Sequence, residues 1–196
     1  MATKPGIKGN IHSAQHHDSA AKHVSGQAVY VDDINMPNHG LVVLIGQSPH
    51  AHALIRGMDL TAVAAAPGVL RVMTAEDVPG FNDCSPVAHD DPIFAVEKVS
   101  YVGQSVFAVV AENMTAARAA LSLAHIDYDL LPAILTIDAA MEASSFLGPP
   151  AQMKKGEPDK QLASASRKLS GRLYCGGQEH FYLEGQAALA IPGEDG

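Results

Sequence analysis

The stretch "QSVFAVVAENMTAARAALSLAHIDYD", residues 104–129, constrains the fold more than any other part of the chain. Residues 106–110 are apolar without a break and rich in β-branched side chains, the pattern of a strand buried on both faces. Asn113 or Thr115 can then cap a helix, since a short polar side chain accepts a first-turn N–H that has no partner inside the helix. Ala117, Ala120, Leu121 and Ala124 follow at helical spacing. Residues 125–128 alternate again, so a second strand follows. The unit reads β-α-β, and parallel strands would make its connection right-handed.

An earlier stretch has a similar order. "GLVVLIGQS" (40–48) is a continuous apolar run between turn residues, and "ALIRGMDL" continues as an extended piece. "DLTAVAAAPGV" reads as a short helix in which Asp59 or Thr61 accepts a first-turn N–H. Pro67 and Gly68 stop it, because proline cannot continue a helix and glycine tolerates positive φ. "VLRVMT" follows as a strand. Two β/α units on one mixed sheet make an α+β domain. Residues 20–145 are expected to fold as a unit with both apolar runs, 41–45 and 106–110, buried. Upstream, "QAVYVDDI" reads as a strand or extended segment ending in a turn. Between the units, "AEDVPGFNDCSPVAHDDPIF" carries Pro79, Pro86 and Pro92 and reads as a long surface loop.

Composition narrows the function. Apolar residues are 47% of the 196 and charged residues 17%, so a core is available and a disordered chain is not indicated. The formal net charge of -8 disfavours nucleic acid, whose phosphates need a basic face. The two cysteines, Cys84 and Cys175, form no CxxC and cannot by themselves complete a tetrahedral metal site. The longest apolar runs fall far short of the ~20 residues of a membrane span. The N-terminus lacks the apolar stretch of a signal peptide, and a cytoplasmic location is expected.

Residues 1–18 read as a flexible N-terminal arm. His16, His17 and His23 are close enough in sequence to suggest a metal site, but a solvated tail accounts for them. His50 and His52 would share a face of a strand. They could bind metal or substrate, and a structural role at a domain contact is the preferred reading. Cys84 is as readily a loop thiol as a functional one. No P-loop, GxGxxG, GxSxG or HExxH occurs.

"FLGPPAQMKKGEPDKQ" has the proline, glycine and lysine content of a linker. "RKLSGRLYCGGQEHFYLEGQAALAIPG" then reads as the first strand and turn of a second domain, too short to bury a core alone. It is expected to be poorly anchored or docked on a neighbouring copy, with an orphan strand near 183–191 seeking a sheet edge. Within it, "CGGQEHFYLEGQ" concentrates chemistry. Gly176 and Gly177 would let a backbone approach a ligand closely. Gln178 offers two donors and an acceptor, Glu179 could orient a neighbour, and His180 could titrate or bind metal. A tight turn with self-satisfied polar groups and a ligand site both remain open on these residues alone.

"GGQEHFYLE" resembles the signature at the start of the molybdopterin-binding region of the xanthine dehydrogenase and aldehyde oxidase family. "HVSGQAVYVDDI", "GQSPHAHALIRGMDL", "APGVLRVMTAEDVPGFND" and "VSYVGQSVFAVVAENMTAARAA" resemble, in order and spacing, the a/b hammerhead domain that precedes that region. The likeness runs from about His23 to Pro192. It is strongest to the molybdenum subunit of bacterial xanthine dehydrogenases.

The resemblance implies a hammerhead domain over 19–146, a linker over 147–166, and the truncated start of a molybdopterin-binding domain over 167–196. It implies that Gln178 sits over a molybdenum–molybdopterin centre and hydrogen-bonds an oxo ligand there. Glu179 and His180 are given no catalytic role, because the family's catalytic glutamate and its substrate-gripping residues lie downstream of Gly196. The implied reaction hydroxylates xanthine or hypoxanthine in purine catabolism. Electrons would pass through [2Fe–2S] clusters and FAD of a partner subunit to NAD, in a heterotetramer or larger assembly. The 196 residues alone are expected to bind no molybdopterin and to be inactive. A non-catalytic assembly or docking module, and a molybdenum hydroxylase for an aldehyde, a heteroaromatic or carbon monoxide, are the alternatives.

Overall fold

The structure, a computed structural model, describes residues 14, 16–182 and 184–193. Most of the arm expected over 1–18 lies outside them. The chain divides into two compact units, Met1–Pro37 with Gly171–Gly196, and Asn38–Ser170.

In the first unit, α1 (Ala20–Ser25) ends at Gly26, whose φ of 73° lets its N–H turn back to the Lys22 carbonyl. The next residues were expected to be extended, and Tyr30 is. A 3₁₀ turn, Val31–Asp33, then forms because the Asp33 carboxylate accepts the Tyr30 N–H at 3.0 Å. Tyr30 is also held from the side, its hydroxyl 2.9 Å from Nδ1 of His23. In the C-terminal part no strand forms among the described residues 167–182 and 184–193. Among the described residues the strand expected there pairs with no other, and an unpaired strand is not stable in water.

The second unit contains β1 (Val42–Gln47), β2 (Ala53–Asp59), α2 (Thr61–Ala64), β3 (Val69–Met73), β4 (Lys98–Val99), β5 (Ser105–Ala111), α3 (Met114–Leu121), β6 (His125–Leu130), α4 (Ile137–Glu142) and α5 (Pro158–Ser164). The helix signals act where they were read. Asn113 accepts the Ala116 N–H at 2.9 Å at the head of α3, and Asp59 accepts the Thr61 N–H at 3.0 Å at the head of α2. Gly68, after α2, has φ 78°. The stretch read as a linker holds α5, which lies exposed with Pro158 in its first turn.

The α+β class stands, but the single mixed sheet does not. There are two three-stranded sheets, ordered β1-β5-β3 and β4-β2-β6, and every pair in them is antiparallel. The strands on either side of α3 therefore belong to different sheets, as do those on either side of α2. No parallel crossover exists among the described residues. Local periodicity identifies a returning strand without saying which strand it will join.

The two apolar runs also part company. β5 is central in its sheet, and Val106, Phe107, Ala108 and Val109 are all buried. β1 is an edge strand, and α3 covers one of its faces while Val43 and Ile45, with Leu41 just before the strand, are exposed. A bulge interrupts the pairing with β1: Gly46 faces Phe107 and Gln47 faces Ser105, leaving Val106 extra. Similarly, Arg56 is extra on β2, and its guanidinium reaches Asp129 on β6 at 2.6 Å. One core joins both sheets, with Ala53 and Val99 of one packed among Val106, Val109, Ala117 and Ala120 of the other sheet and α3. Among the described residues no helix is long and apolar enough to cross a membrane.

Gly46 has no room for a side chain, because a Cβ there would stand 2.2 Å from the Phe107 ring. Gly46→Ala is expected to destabilise the fold by about 1–3 kcal/mol, the usual cost of overpacking a core. Combining it with Phe107→Leu should cost less than the two single changes summed, as read by urea denaturation.

Three aspartates are held below the usual carboxylate range. Asp59 is lowered chiefly by the Thr61 N–H, Asp77 by the Thr74 N–H and then Arg71, and Asp83 by the Ser85 N–H and then His89. A carboxyl whose pKa falls on folding stabilises the fold above its unfolded value and loses that contribution as pH drops. The urea midpoint should therefore decline below roughly pH 4. Asp77→Asn should flatten that decline while lowering the midpoint at pH 7.

Candidate functional site

The "CGGQEHFYLEGQ" segment lies in the unit formed by Met1–Pro37 and Gly171–Gly196. Neither Gly176 nor Gly177 has a positive φ, and a Cβ added to either would meet nothing within 4 Å. Their own backbone does not require glycine; what glycine leaves there is open approach to the chain. The Gln178 carboxamide is exposed and has no hydrogen-bond partner among the described residues.

The residues after it are held locally. Oε1 of Glu179 accepts the His180 N–H at 3.0 Å and the Phe181 N–H at 3.5 Å. Phe181 takes a left-handed conformation, φ 53°. The His180 and Tyr182 rings stack with centroids 5.4 Å apart and planes within 4°. Glu179 thus orients the bend, as its place in the motif suggested. Glu184 does something the sequence did not reveal: its Oε1 accepts the Val31 N–H at 2.6 Å. No local pattern links residues 153 positions apart.

The remaining candidates have partners of their own. His50 and His52 precede β2 and go different ways. His50 sets its ring edge-on to Tyr128, with centroids 4.9 Å apart, and Nδ1 of His52 lies 2.8 Å from the Pro132 carbonyl. Both therefore brace β6 and the chain after it. His23 pairs with Tyr30, and its ring lies 6.3 Å from that of His17. No group of three or more His, Cys, Asp or Glu among the described residues is arranged to hold a metal ion.

Cys84 donates to the Asp91 carbonyl at 3.3 Å. Burial, then Asp91 and Asp83, push its thiol up, which disfavours the reactive thiolate. The loop around it is stapled by Asn82, which donates to and accepts from the Phe94 backbone, and by Asp83, whose carboxylate meets the Ser85 N–H and His89. The loop is therefore built around its own polar groups.

An open cleft of about 460 Å³ lies between the end of β1, the end of α3 and β6, with Gly46, His50, Phe107, Leu121, Ile126 and Tyr128 among its walls. The Tyr128 hydroxyl is buried with no partner at bonding distance. Burial raises this phenol, and the Ser48 hydroxyl spends its proton on the His50 carbonyl.

Two family models match the chain in succession. The aldehyde oxidase and xanthine dehydrogenase a/b hammerhead domain matches residues 25–132, and the molybdopterin cofactor-binding domain matches residues 142–196. A xanthine dehydrogenase of Dictyostelium discoideum is 39% identical over 178 residues, 91% of this chain and 13% of that protein. Aldehyde oxidase 2 of Rattus norvegicus is 41% identical over 177 residues, 90% of this chain and 13% of that protein. Among solved structures, the aldehyde oxidoreductase of Desulfovibrio desulfuricans superposes with a TM-score of 0.58 at 29% identity, covering 66% of this chain and 16% of that one. The chain thus spans about an eighth of the length of the curated relatives it matches. The hammerhead match takes in more than half of the residues and the relatives align with nearly all of them, so the chain belongs to the aldehyde oxidase and xanthine dehydrogenase family.

Proposed function

We propose that this chain is the N-terminal part of the molybdenum subunit of a xanthine dehydrogenase, and that Gln178 is its contact with the cofactor. The observation that carries the second half is the free carboxamide of Gln178 beside two glycines around which space is open. An amide donor suits an oxygen-rich, anionic group, because it stabilises electron density on oxygen without adding charge of its own. The residues present therefore fit molybdenum–molybdopterin, which when bound supplies the two-electron chemistry converting a substrate C–H and water into C–OH, two electrons and two protons.

Gln178 is the residue of this chain that would hold the cofactor from one side. Glu179 serves it indirectly by tying down the bend that follows. The enzyme is read as cytoplasmic, acting in purine catabolism on xanthine and hypoxanthine. A partner subunit with [2Fe–2S] clusters and FAD passes the electrons to NAD, in a heterotetramer or larger assembly. Cys84 and Cys175 alone cannot provide the four ligands of an iron–sulfur cluster, which supports placing the clusters elsewhere. A second substrate class, aldehydes, is supported by the aldehyde oxidase 2 of rat, which matches as well as the xanthine dehydrogenase does.

In the complete enzyme, Gln178→Ala should lower kcat for xanthine-dependent NAD reduction by roughly 100–1,000-fold, the range for losing one aligned donor, with KM little changed. An unaltered kcat at full molybdenum content would sink the cofactor contact. Comparing kcat/KM for xanthine and for benzaldehyde in the unmutated enzyme decides the substrate class.

A further inference from the structure

The 3₁₀ turn Val31–Asp33 begins with an N–H that its own backbone cannot satisfy, as at the head of any helical segment. The neighbouring Tyr30 N–H is taken by Asp33. The Val31 N–H is taken instead by the carboxylate of Glu184 at 2.6 Å, in a part-buried contact. This is the short distance of a charge-assisted bond. Asp32 and Asp33 stand in the same turn, so a third negative charge is not what the turn needs. What Glu184 provides is an acceptor at the right reach.

That contact matters because it reaches out of the Gln178 stretch to a residue far away in sequence. Among the described residues from 171 on there is no helix or strand, and nearly all are exposed. The bonds within it are short-range: Glu179 to the next two amides, and the His180–Tyr182 stack. They shape the bend but tie it to nothing beyond itself. Glu184, six residues past Gln178, makes a long-range bond to Val31.

The geometry points to Glu184 as a positioning residue that fastens the Gln178 stretch to the turn at Val31 and so sets where the carboxamide stands. The inference rests on the reading of Gln178 as a cofactor contact. Its first test is on the 196-residue chain and needs no cofactor. By amide hydrogen exchange, Glu184→Ala should expose the Val31 N–H, speeding its exchange at least about tenfold, whereas Glu184→Gln keeps an acceptor and should leave it within about threefold of the parent. Equal exchange in the parent and Glu184→Ala overturns the anchor.

The second test is on the complete molybdenum enzyme, comparing Gln178→Ala, Glu184→Ala and Glu184→Gln at matched molybdenum content. The expected result is that Glu184→Ala alters the electron paramagnetic resonance spectrum of the partly reduced, Mo(V) state and lowers kcat about tenfold with KM within twofold, and that Glu184→Gln restores both. A changed spectrum in Gln178→Ala with an unchanged one in Glu184→Ala overturns the role of Glu184 alone. Unchanged spectrum and kcat in Gln178→Ala overturn the cofactor contact, and the positioning role with it.

Discussion

The second unit hangs on a buried polar knot between Ser48 and Gln104. Both are almost wholly shielded from water, and both sit where the chain changes sheets. The Ser48 N–H donates to the Gln104 carbonyl and the Gly103 N–H to the Ser48 carbonyl, each at 2.8 Å. The Gln104 side chain accepts the Ser100 N–H at 2.7 Å, and the Ser48 hydroxyl closes the turn onto His50. Burying polar groups is tolerable only when they are paired, and here they are paired with one another. The knot joins the exit from β1 to the approach to β5. It thereby sets where β2 starts, and with β2 the second sheet.

Much of the first-order structure was legible. Asn113 and Asp59 act as caps because a carboxylate or amide two or three residues ahead of a free N–H is a local arrangement. The short-range pattern of 104–129 gave strand, helix and strand in the right places. Which strand pairs with which was not legible. Val43 and Val109 are the same residue type in similar apolar runs, yet one faces outward on an edge and the other is fully buried. Only the partners distinguish them, and these are brought together by contacts distant in sequence.

The candidate site divides along the same line. Gln178 and its glycines stand out as residue types, and Glu179 lies next to the amides it holds, so its role could be read from the string. Glu184 could not, because its partner is 153 positions away and is a backbone amide, a group that no side-chain pattern marks. For the histidines the preferred structural role fits what they touch, while the shared strand face does not. His50 and His52 are two residues apart, but one meets an aromatic ring and the other a carbonyl, and neither serves the other.

The face-to-face pair of Gly46 and Phe107 has a consequence for how β1 and β5 find their alignment. A slip by two residues keeps every side chain on its own face, so in a run of similar aliphatic residues the pattern alone resists it little. Here the ring occupies the volume that any other residue's first carbon would need. A slip that brought Leu44, Ile45 or Gln47 opposite Phe107 would be rejected by shape, so the missing side chain works as a keyhole that admits one registration of the sheet.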